Sequence, residues 1–403
     1  MMRRRRAVLL GLACAALAAV GLVVAAGGDR GLTAGPMIQL LDDQGCTLVW
    51  RAADDGPYTV EVLPADQGPT RRVDATGVEG RFEVRLDGLT PGQRHAYRIR
   101  RHGAAEPLAA GSVRPLADVR GTTFQFLAFG DSGTGHGPQH RLAEKMAAYA
   151  PDVIIHTGDV MQDDGSPGGY DHQFFDPYAE LLPHAAFYPC QGNHDYYYDH
   201  RGQPWLDVFV LPTNGPAGAT PESHYFTDIG GVRFVVLNSN APYAELRDHV
   251  VAWLDQTLSS AGDRWTIMVF HHPLYTNGRH SPPGKFLHLI VPLIDRHRVE
   301  LVLNGHNHMY ERSHPIRDGR IAPTGQGTVY VTTAGGGGNL QPIEKPNPPF
   351  LVMQDNSQFS FTVVDVTGDA LRVRQIGQDG RPIDGFEVPR RSPATAPAPA
   401  AGQ

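Results

Sequence analysis

Leu301-Val-Leu-Asn-Gly-His-Asn-His-Met-Tyr-Glu-Arg312 decides how this chain is read. The apolar run Leu301 to Leu303 has strand character, and Gly305 releases the backbone into His306-Asn307-His308. Two histidines one residue apart, directly behind a buried run, fit a solvated turn when taken alone. They fit a ligand pair only if other strands deliver matching groups to the same place.

Working outward, four more apolar runs end in the same manner. Phe124 to Phe129 leads to Gly130-Asp131-Ser132-Gly133, and Val153 to His156 leads to Gly158-Asp159. Pro189 is followed by Gly192-Asn193-His194-Asp195, and Trp265 to Phe270 by His271-His272-Pro273. Each motif has a plain structural reading: a Gly-Asp turn, a hydrogen-bonded loop, a core histidine with an exposed neighbour. Together, five strand ends carry Asp, Asp, Asn, His and His, which a purely structural reading explains poorly. Helical spacing over Pro138 to Tyr149, Tyr243 to Leu258 and Phe286 to Arg296 separates the strands, so residues 122–388 read as an α/β layered domain. Ligands of such sheets bind beyond the carboxyl ends of the strands, and glycine there permits sharp exits and close approach. Phe359 to Val366 and Ala370 to Ile376 read as a closing hairpin.

Residues 37–117 have a different rhythm. Cys46 to Trp50, Tyr58 to Val62, Arg81 to Leu86 and Ala96 to Arg100 are short alternating runs broken by Gly, Pro and Asp, the pattern of a small all-β sandwich. Leu89-Thr-Pro-Gly-Gln-Arg-His-Ala-Tyr97 resembles the turn and aromatic strand of fibronectin type III domains, with Trp50 as the core tryptophan. His95 stands where that pattern often has an aromatic residue and is expected to be structural.

The chain as a whole is 41% hydrophobic and 19% charged, with a formal net charge of −7. That balance argues against nucleic acid as the main partner. It leaves an anionic substrate open, because bound cations make a locally positive site. Arg3 to Arg6 precede an uncharged stretch, Ala7 to Ala26, so residues 1–30 read either as a cleaved export signal ending in small residues or as a retained membrane anchor. Both place the bulk of the chain outside the cytoplasm. Of the three cysteines, Cys14 falls in that segment. Cys46 and Cys190 fall in different domains, which predicts neither a disulfide framework nor thiolate metal ligands. Residues 389–403, rich in Pro and Ala, are expected to be a disordered tail.

The ordered strand-end motifs resemble the calcineurin-like metallophosphoesterases, specifically their purple acid phosphatase-like branch. Gly305-His-Asn-His-Met-Tyr-Glu-Arg312 is close to that branch's Gly-His-x-His-x-Tyr-Glu-Arg stretch, and Gly130-Asp-Ser-Gly133 and a leading fibronectin-like domain agree with it. The resemblance implies a four-layer α/β/β/α sandwich and a binuclear metal centre. Asp159 would bridge the two ions, Asp131 and His308 would complete the first, and Asn193, His271 and His306 the second. A metal-bridging hydroxide would attack phosphorus, and His194 would assist departure of the leaving oxygen, a task suited to an imidazole titrating near neutrality. Asp195 would orient His194 or form a plain turn. His280 matches a substrate-side histidine of the branch or belongs to a solvated loop, with Arg279 less readily assigned. His272 is read as an outer or exposed residue, since the family pattern is His-x-Pro.

One position departs from the pattern. Purple members have Gly-Asp-x-x-Tyr, and that tyrosinate binds iron(III) and gives the colour. Here Gly158-Asp159-Val160-Met161 leads to Gln162, which predicts a colourless protein. Gln162, Asp163, His136 or water could fill the gap, and Zn, Mn or Fe all suit oxygen and imidazole donors. The expected activity is hydrolysis of phosphate monoesters of small molecules. A phosphodiesterase or nucleotide hydrolase, or a non-catalytic surface protein with a vestigial metal site, are the rival readings. Tyr196, Tyr197 and Tyr198 could stack on a substrate base or sugar, or simply pack their loop.

Overall fold

The computed structural model describes residues 31–64, 68–163, 165–281 and 283–390. The expected export segment and most of the Pro/Ala-rich tail lie outside the described residues.

The first seven strands are β1 (Leu32–Gln39), β2 (Cys46–Ala52), β3 (Tyr58–Val62), β4 (Arg71–Ala75), β5 (Arg81–Leu86), β6 (His95–Arg101) and β7 (Ala109–Val113). They form two antiparallel groups, β1-β2-β5 and β4-β3-β6-β7. Alternation decides which face goes inside. In β5, Phe82, Val84 and Leu86 are buried while Glu83 is exposed. Trp50 stacks on Phe82 with ring centroids 4.8 Å apart, and Tyr58 meets Phe82 edge-on at 4.9 Å, joining the two groups through one aromatic cluster. His95 is buried, and its Nε2 accepts the Thr90 N–H at 3.1 Å, the structural role expected of it. This all-β unit resembles a fibronectin type III sandwich.

The remaining strands are β8 (Phe124–Phe129), β9 (Val153–His156), β10 (Ala186–Pro189), β11 (Tyr225–Ile229), β12 (Val232–Val236), β13 (Trp265–Val269), β14 (Leu301–Asn304), β15 (Tyr310–Ser313), β16 (Ile316–Arg317), β17 (Arg320–Ile321), β18 (Val329–Thr333), β19 (Leu351–Asp355), β20 (Ser360–Val366), β21 (Ala370–Gly377) and β22 (Pro382–Pro389). One sheet runs β22-β21-β20-β8-β9-β10 and the other β11-β12-β13-β14-β18-β15-β19. The four-layer α/β/β/α arrangement follows from strands with no polar face. Phe234, Val236, Ile267, Val269, Leu301 and Leu303 turn toward the first sheet, where Phe126 meets Phe234 edge-on at 5.2 Å. Their alternates Val235, Leu237, Met268, Phe270 and Val302 turn the other way, onto Leu246, Val250 and Leu254 and onto Phe286 and Ile290 of the helix Gly284–His297. The helix Gly137–Ala147 buries Leu142, Ala143 and Met146 in the first core. Cys46 and Cys190 are free and buried.

The two regions are not beads on a linker. β1 pairs parallel with β10 at Ile38 and Ala186, so β1-β2-β5 extends the first sheet to nine strands. The first strand begins at Leu32, ahead of Met37. Around this junction the Leu41 N–H meets Tyr188 Oη at 2.8 Å, and Tyr97 Oη donates to the Pro183 carbonyl at 3.0 Å. Arg94 reaches Asp152 at 2.8 Å, and Arg114 also pairs with it.

Candidate metal centre

β8, β9 and β10 run parallel in one sheet, as do β13, β14 and β18 in the other. Their carboxyl ends meet, and the loops that follow bring together the six residues expected as ligands. Asp131, Asp159 and His306 all adopt positive φ, 56°, 52° and 71°, conformations that non-glycine residues rarely hold. Such backbone clusters where surrounding structure fixes a functional geometry. Neighbouring glycines leave no alternative: a Cβ on Gly305 would lie 2.6 Å from Asp131 Oδ2, and one on Gly158 would lie 2.7 Å from His271 Nδ1.

Asp131, Asp159 and His308 present ligand atoms within 4.8 Å of one another, the one such acidic and imidazole group among the described residues. His308 Nε2 lies 3.3 Å from Asp131 Oδ1, and His271 Nε2 lies 3.3 Å from Asp159 Oδ2. His271 Nε2 is also 3.1 Å from Asn193 Oδ1 and 3.2 Å from His306 Nδ1. Several lone pairs thus converge where side-chain hydrogens could satisfy only some of them. The outward ring nitrogens agree. His271 Nδ1 donates to the Thr157 carbonyl at 2.9 Å, and His308 Nδ1 donates to the Asn339 carbonyl at 2.8 Å. Once either ring is neutral its Nε2 is the inward acceptor, the usual arrangement of a ligating histidine. The donor set therefore fits two cations.

Electrostatics point the same way. Burial pulls the His271 imidazole down, but Asp159 and Asp131 override it and push it up to about 9. Burial opposes ionisation of Asp159, yet His271 and then His194 hold its carboxyl well below the usual range. His306 is driven low by burial and by charged His271. Without ions the pocket therefore collects a proton as a poor substitute for the missing charge.

His194 lies beside this group. Its N–H donates to Asp159 Oδ1 at 2.8 Å, its Nδ1 meets the Asp163 carbonyl at 3.2 Å, and its Nε2 is 3.9 Å from Asp159 Oδ2. Asp195 follows the turn reading of its two alternatives. Its buried carboxylate accepts the N–H groups of Gly192 at 2.8 Å and Met161 at 3.2 Å, tying two strand-end loops together rather than orienting His194. Burial, with Asp159, pushes its carboxyl up to about 7. The His280 ring packs on His306 at 4.6 Å, and its backbone is gripped from both sides by the Asn307 amide at 3.0 and 3.1 Å. Arg279 is exposed. His272 is half-buried, its Nδ1 is 2.8 Å from Ser239 Oγ, and its ring is 4.4 Å from His306. Burial and His271 take it down to about 3.

Gln162 donates its backbone N–H to Gly133 at 2.9 Å, while its buried Nε2 has no protein partner. Asp163 Oδ2 is taken by Gln173 Nε2 at 2.5 Å, and His136 is exposed ahead of the helix Gly137–Ala147. Tyr-Glu-Arg at 310–312 is a brace rather than a donor set. Tyr310 Oη and Arg312 Nε hold Asp384 at 2.8 and 2.6 Å, and Glu311 accepts Thr276 Oγ1 at 2.5 Å and the Asn277 N–H at 2.8 Å, fixing the loop that carries His280.

Three contributors had weak or no signals in the sequence. Ser239, after β12, holds His272. Gly335 to Gly338 close over the first loop, with the Gly338 N–H on the Asp131 carbonyl at 2.7 Å. That glycine run was a visible signal. Tyr197 touches both Asn193 and His194.

Comparisons with known proteins converge. Residues 124–310 match the family model for calcineurin-like phosphoesterase. Purple acid phosphatase 7 of Arabidopsis thaliana is 24% identical over 298 residues, covering 64% of this chain and 87% of that protein. A nucleotide pyrophosphatase/phosphodiesterase of Hordeum vulgare is 24% identical over 282 residues, covering 62% of this chain and 74% of that protein. The structure of purple acid phosphatase PPD1 from yellow lupin (Lupinus luteus) seeds superposes with a TM-score of 0.74 at 18% identity, covering 92% of this chain and 77% of that one.

Proposed function

We propose that this chain, a purple acid phosphatase-like metallophosphoesterase with a calcineurin-like phosphoesterase domain at residues 124–310, hydrolyses phosphate monoesters outside the cytoplasm. The carrying observation is the convergence of Asp131, Asp159 and His308 within 4.8 Å beside Asn193, His271 and His306. Asp131 and His308 would hold a first ion, Asn193, His271 and His306 a second, and Asp159 would serve both. Two such ions clamp a phosphoryl group and supply a nucleophile at neutral pH.

The chain's own residues would do the rest. His194 and His280 flank the donor set from opposite loops. His194, fixed through Nδ1 by the Asp163 carbonyl, keeps Nε2 free to carry a proton to the leaving oxygen. His280, fixed by Asn307, would meet the phosphoryl oxygens. Asp195 would hold the Asn193 and Met161 loops in register. Gln162 stands at the family's tyrosinate position, and an amide supports a colourless centre of Zn, Mn or Fe. Arg3 to Arg6 ahead of the uncharged Ala7 to Ala26 support export. Among the described residues no helix is long and apolar enough to cross a membrane.

The test is hydrolysis of 4-nitrophenyl phosphate and its diester analogue by protein stripped of metal and reconstituted with single metals. Metal-dependent turnover that disappears in Asn193→Ala supports the reading, and two bound equivalents without turnover would sink it. Preference for the diester would select the second reading, favoured by the likeness to the Hordeum vulgare protein.

A further inference from the structure

Asn193 and His194 open a short turn, His194–Tyr196, after which the Tyr197 N–H bonds back to the His194 carbonyl at 3.2 Å. The turn sets the side chains of residues 193 and 197 on one side, as a helical repeat does. Two contacts result. Asn193 Nδ2 donates to Tyr197 Oη at 2.9 Å, and the Tyr197 ring lies against the His194 ring at 4.6 Å with a 51° tilt.

An asparagine amide can present either oxygen or nitrogen, and only the oxygen has a lone pair for a cation. Asn193 Oδ1 faces His271 Nε2 at 3.1 Å because Nδ2 is held on the opposite side. His194 faces a related problem. Its Nδ1 is tied to the Asp163 carbonyl and its Nε2 lies 3.9 Å from Asp159 Oδ2, contacts at the ring's two edges that leave it able to tilt about the line between them. A flat neighbour on its face removes that freedom. Tyr197 meets both needs while remaining 51% exposed, so its ring is not there to fill a core.

We infer that Tyr197 is a positioning residue serving both halves of the reaction: its hydroxyl turns the Asn193 oxygen toward the second ion, and its ring steadies the His194 imidazole that protonates the leaving group. The inference rests on the metal-centre reading above. Because hydroxyl and ring act on different partners, they separate by substitution.

The experiment compares wild type, Tyr197→Phe, Tyr197→Leu and, as an exposed control, Tyr198→Phe. Uptake of zinc by the metal-free proteins is measured by calorimetry, and thermal melting checks folding. kcat and KM are measured for phenyl phosphates of graded leaving-group acidity and for an alkyl phosphate. Tyr197→Phe is expected to bind the second zinc equivalent about tenfold more weakly, the lower end for losing a partner behind a metal ligand. It should keep the wild-type dependence on leaving group. Tyr197→Leu should also lose kcat for the alkyl ester at least about fivefold more than for 4-nitrophenyl phosphate, which leaves with little protonation. Wild-type zinc affinity in Tyr197→Phe would overturn the hydroxyl's role. An equal loss on every ester in Tyr197→Leu would overturn the ring's role. A wild-type protein that takes up fewer than two equivalents would instead defeat the metal-centre reading.

Discussion

In the N-terminal sandwich, Arg85 sits between Asp42 and Asp87 with all three side chains 33–66% exposed. At the strand ends of the catalytic half, Asp131 and Asp159 are almost wholly buried and are met by His308, His271 and His194. The first arrangement is complete: each anion has a guanidinium, and water screens the remainder. The second is unbalanced, because buried carboxylates demand more positive charge than imidazoles supply near neutrality. Two parts of one continuous sheet thus hold charge in opposite ways, paired at the surface in one place and buried short of positive charge in the other.

The largest break in this contrast comes from Asp159→Asn. Replacing the carboxylate proposed to serve both ions should lower phosphatase turnover at least about 10³-fold, at the upper end for removing an electrostatic stabiliser of a transition state. The fold should be retained, since an amide is the same size, and melting curves beside initial rates test both.

Proton release on metal binding is next. His271 in the ion-free protein is raised from 6.5 to about 9, so it is charged at pH 7 and must lose that proton to ligate. Apparent metal affinity should therefore rise with pH up to about 9. For the ion-free protein the sign is opposite. The raised pKa contributes stability that is complete below about pH 6.5 and is lost as pH rises through about 9. Melting of chelated protein against pH checks the second statement, and calorimetry in buffers of different ionisation heat checks the first. A chelated protein that gains stability from pH 6.5 to 9 would refute the assignment of the proton to His271.

Asp152 tests the junction. It lies beneath Arg94 and Arg114 and is 7% exposed, so Asp152→Ala should cost about 1–3 kcal/mol, less than a wholly buried pair because both arginines reach solvent. Metal uptake and kcat should stay at wild-type values. At the small end, Arg72→Ala removes a pair whose arginine side chain is 70% exposed, and should shift stability by no more than about 0.5 kcal/mol.

What was legible in the sequence was whatever obeys a period or a strand-end rule. The strand-end motifs were readable because each follows an apolar run within a few residues, and the layered fold because those runs lack a polar face; the assignment of six of their residues as donors came from the family resemblance and stands as proposed. Of the two readings open for Asp195, orienting His194 or forming a turn, adjacency in sequence favoured the first and the contacts favour the second. A carboxylate two residues after Asn193 instead turns back under the loop to collect backbone N–H groups. Ser239 acts through a contact that no local pattern encodes, and Tyr197 through a turn-borne spacing whose role shows only once His194 and Asn193 are placed. The pairing of Ile38 with Ala186 spans nearly 150 residues and rests on a single register pair, which periodicity cannot foresee.

That pairing bears on what becomes of a sheet's edge. A central sheet ending at β10 would present an open row of backbone donors and acceptors, a template for another chain to add a strand. β1 meets that row at Ile38 and Ala186, and the sheet then continues outward to β5. There Arg81, Glu83 and Arg85 punctuate the last strand with charge, Arg81 pairing with Glu83 at 2.8 Å and Arg85 with Asp87 at 2.6 Å. A catalytic half produced without the small sandwich would leave the margin of β10 bare, the kind of edge to which another strand can add.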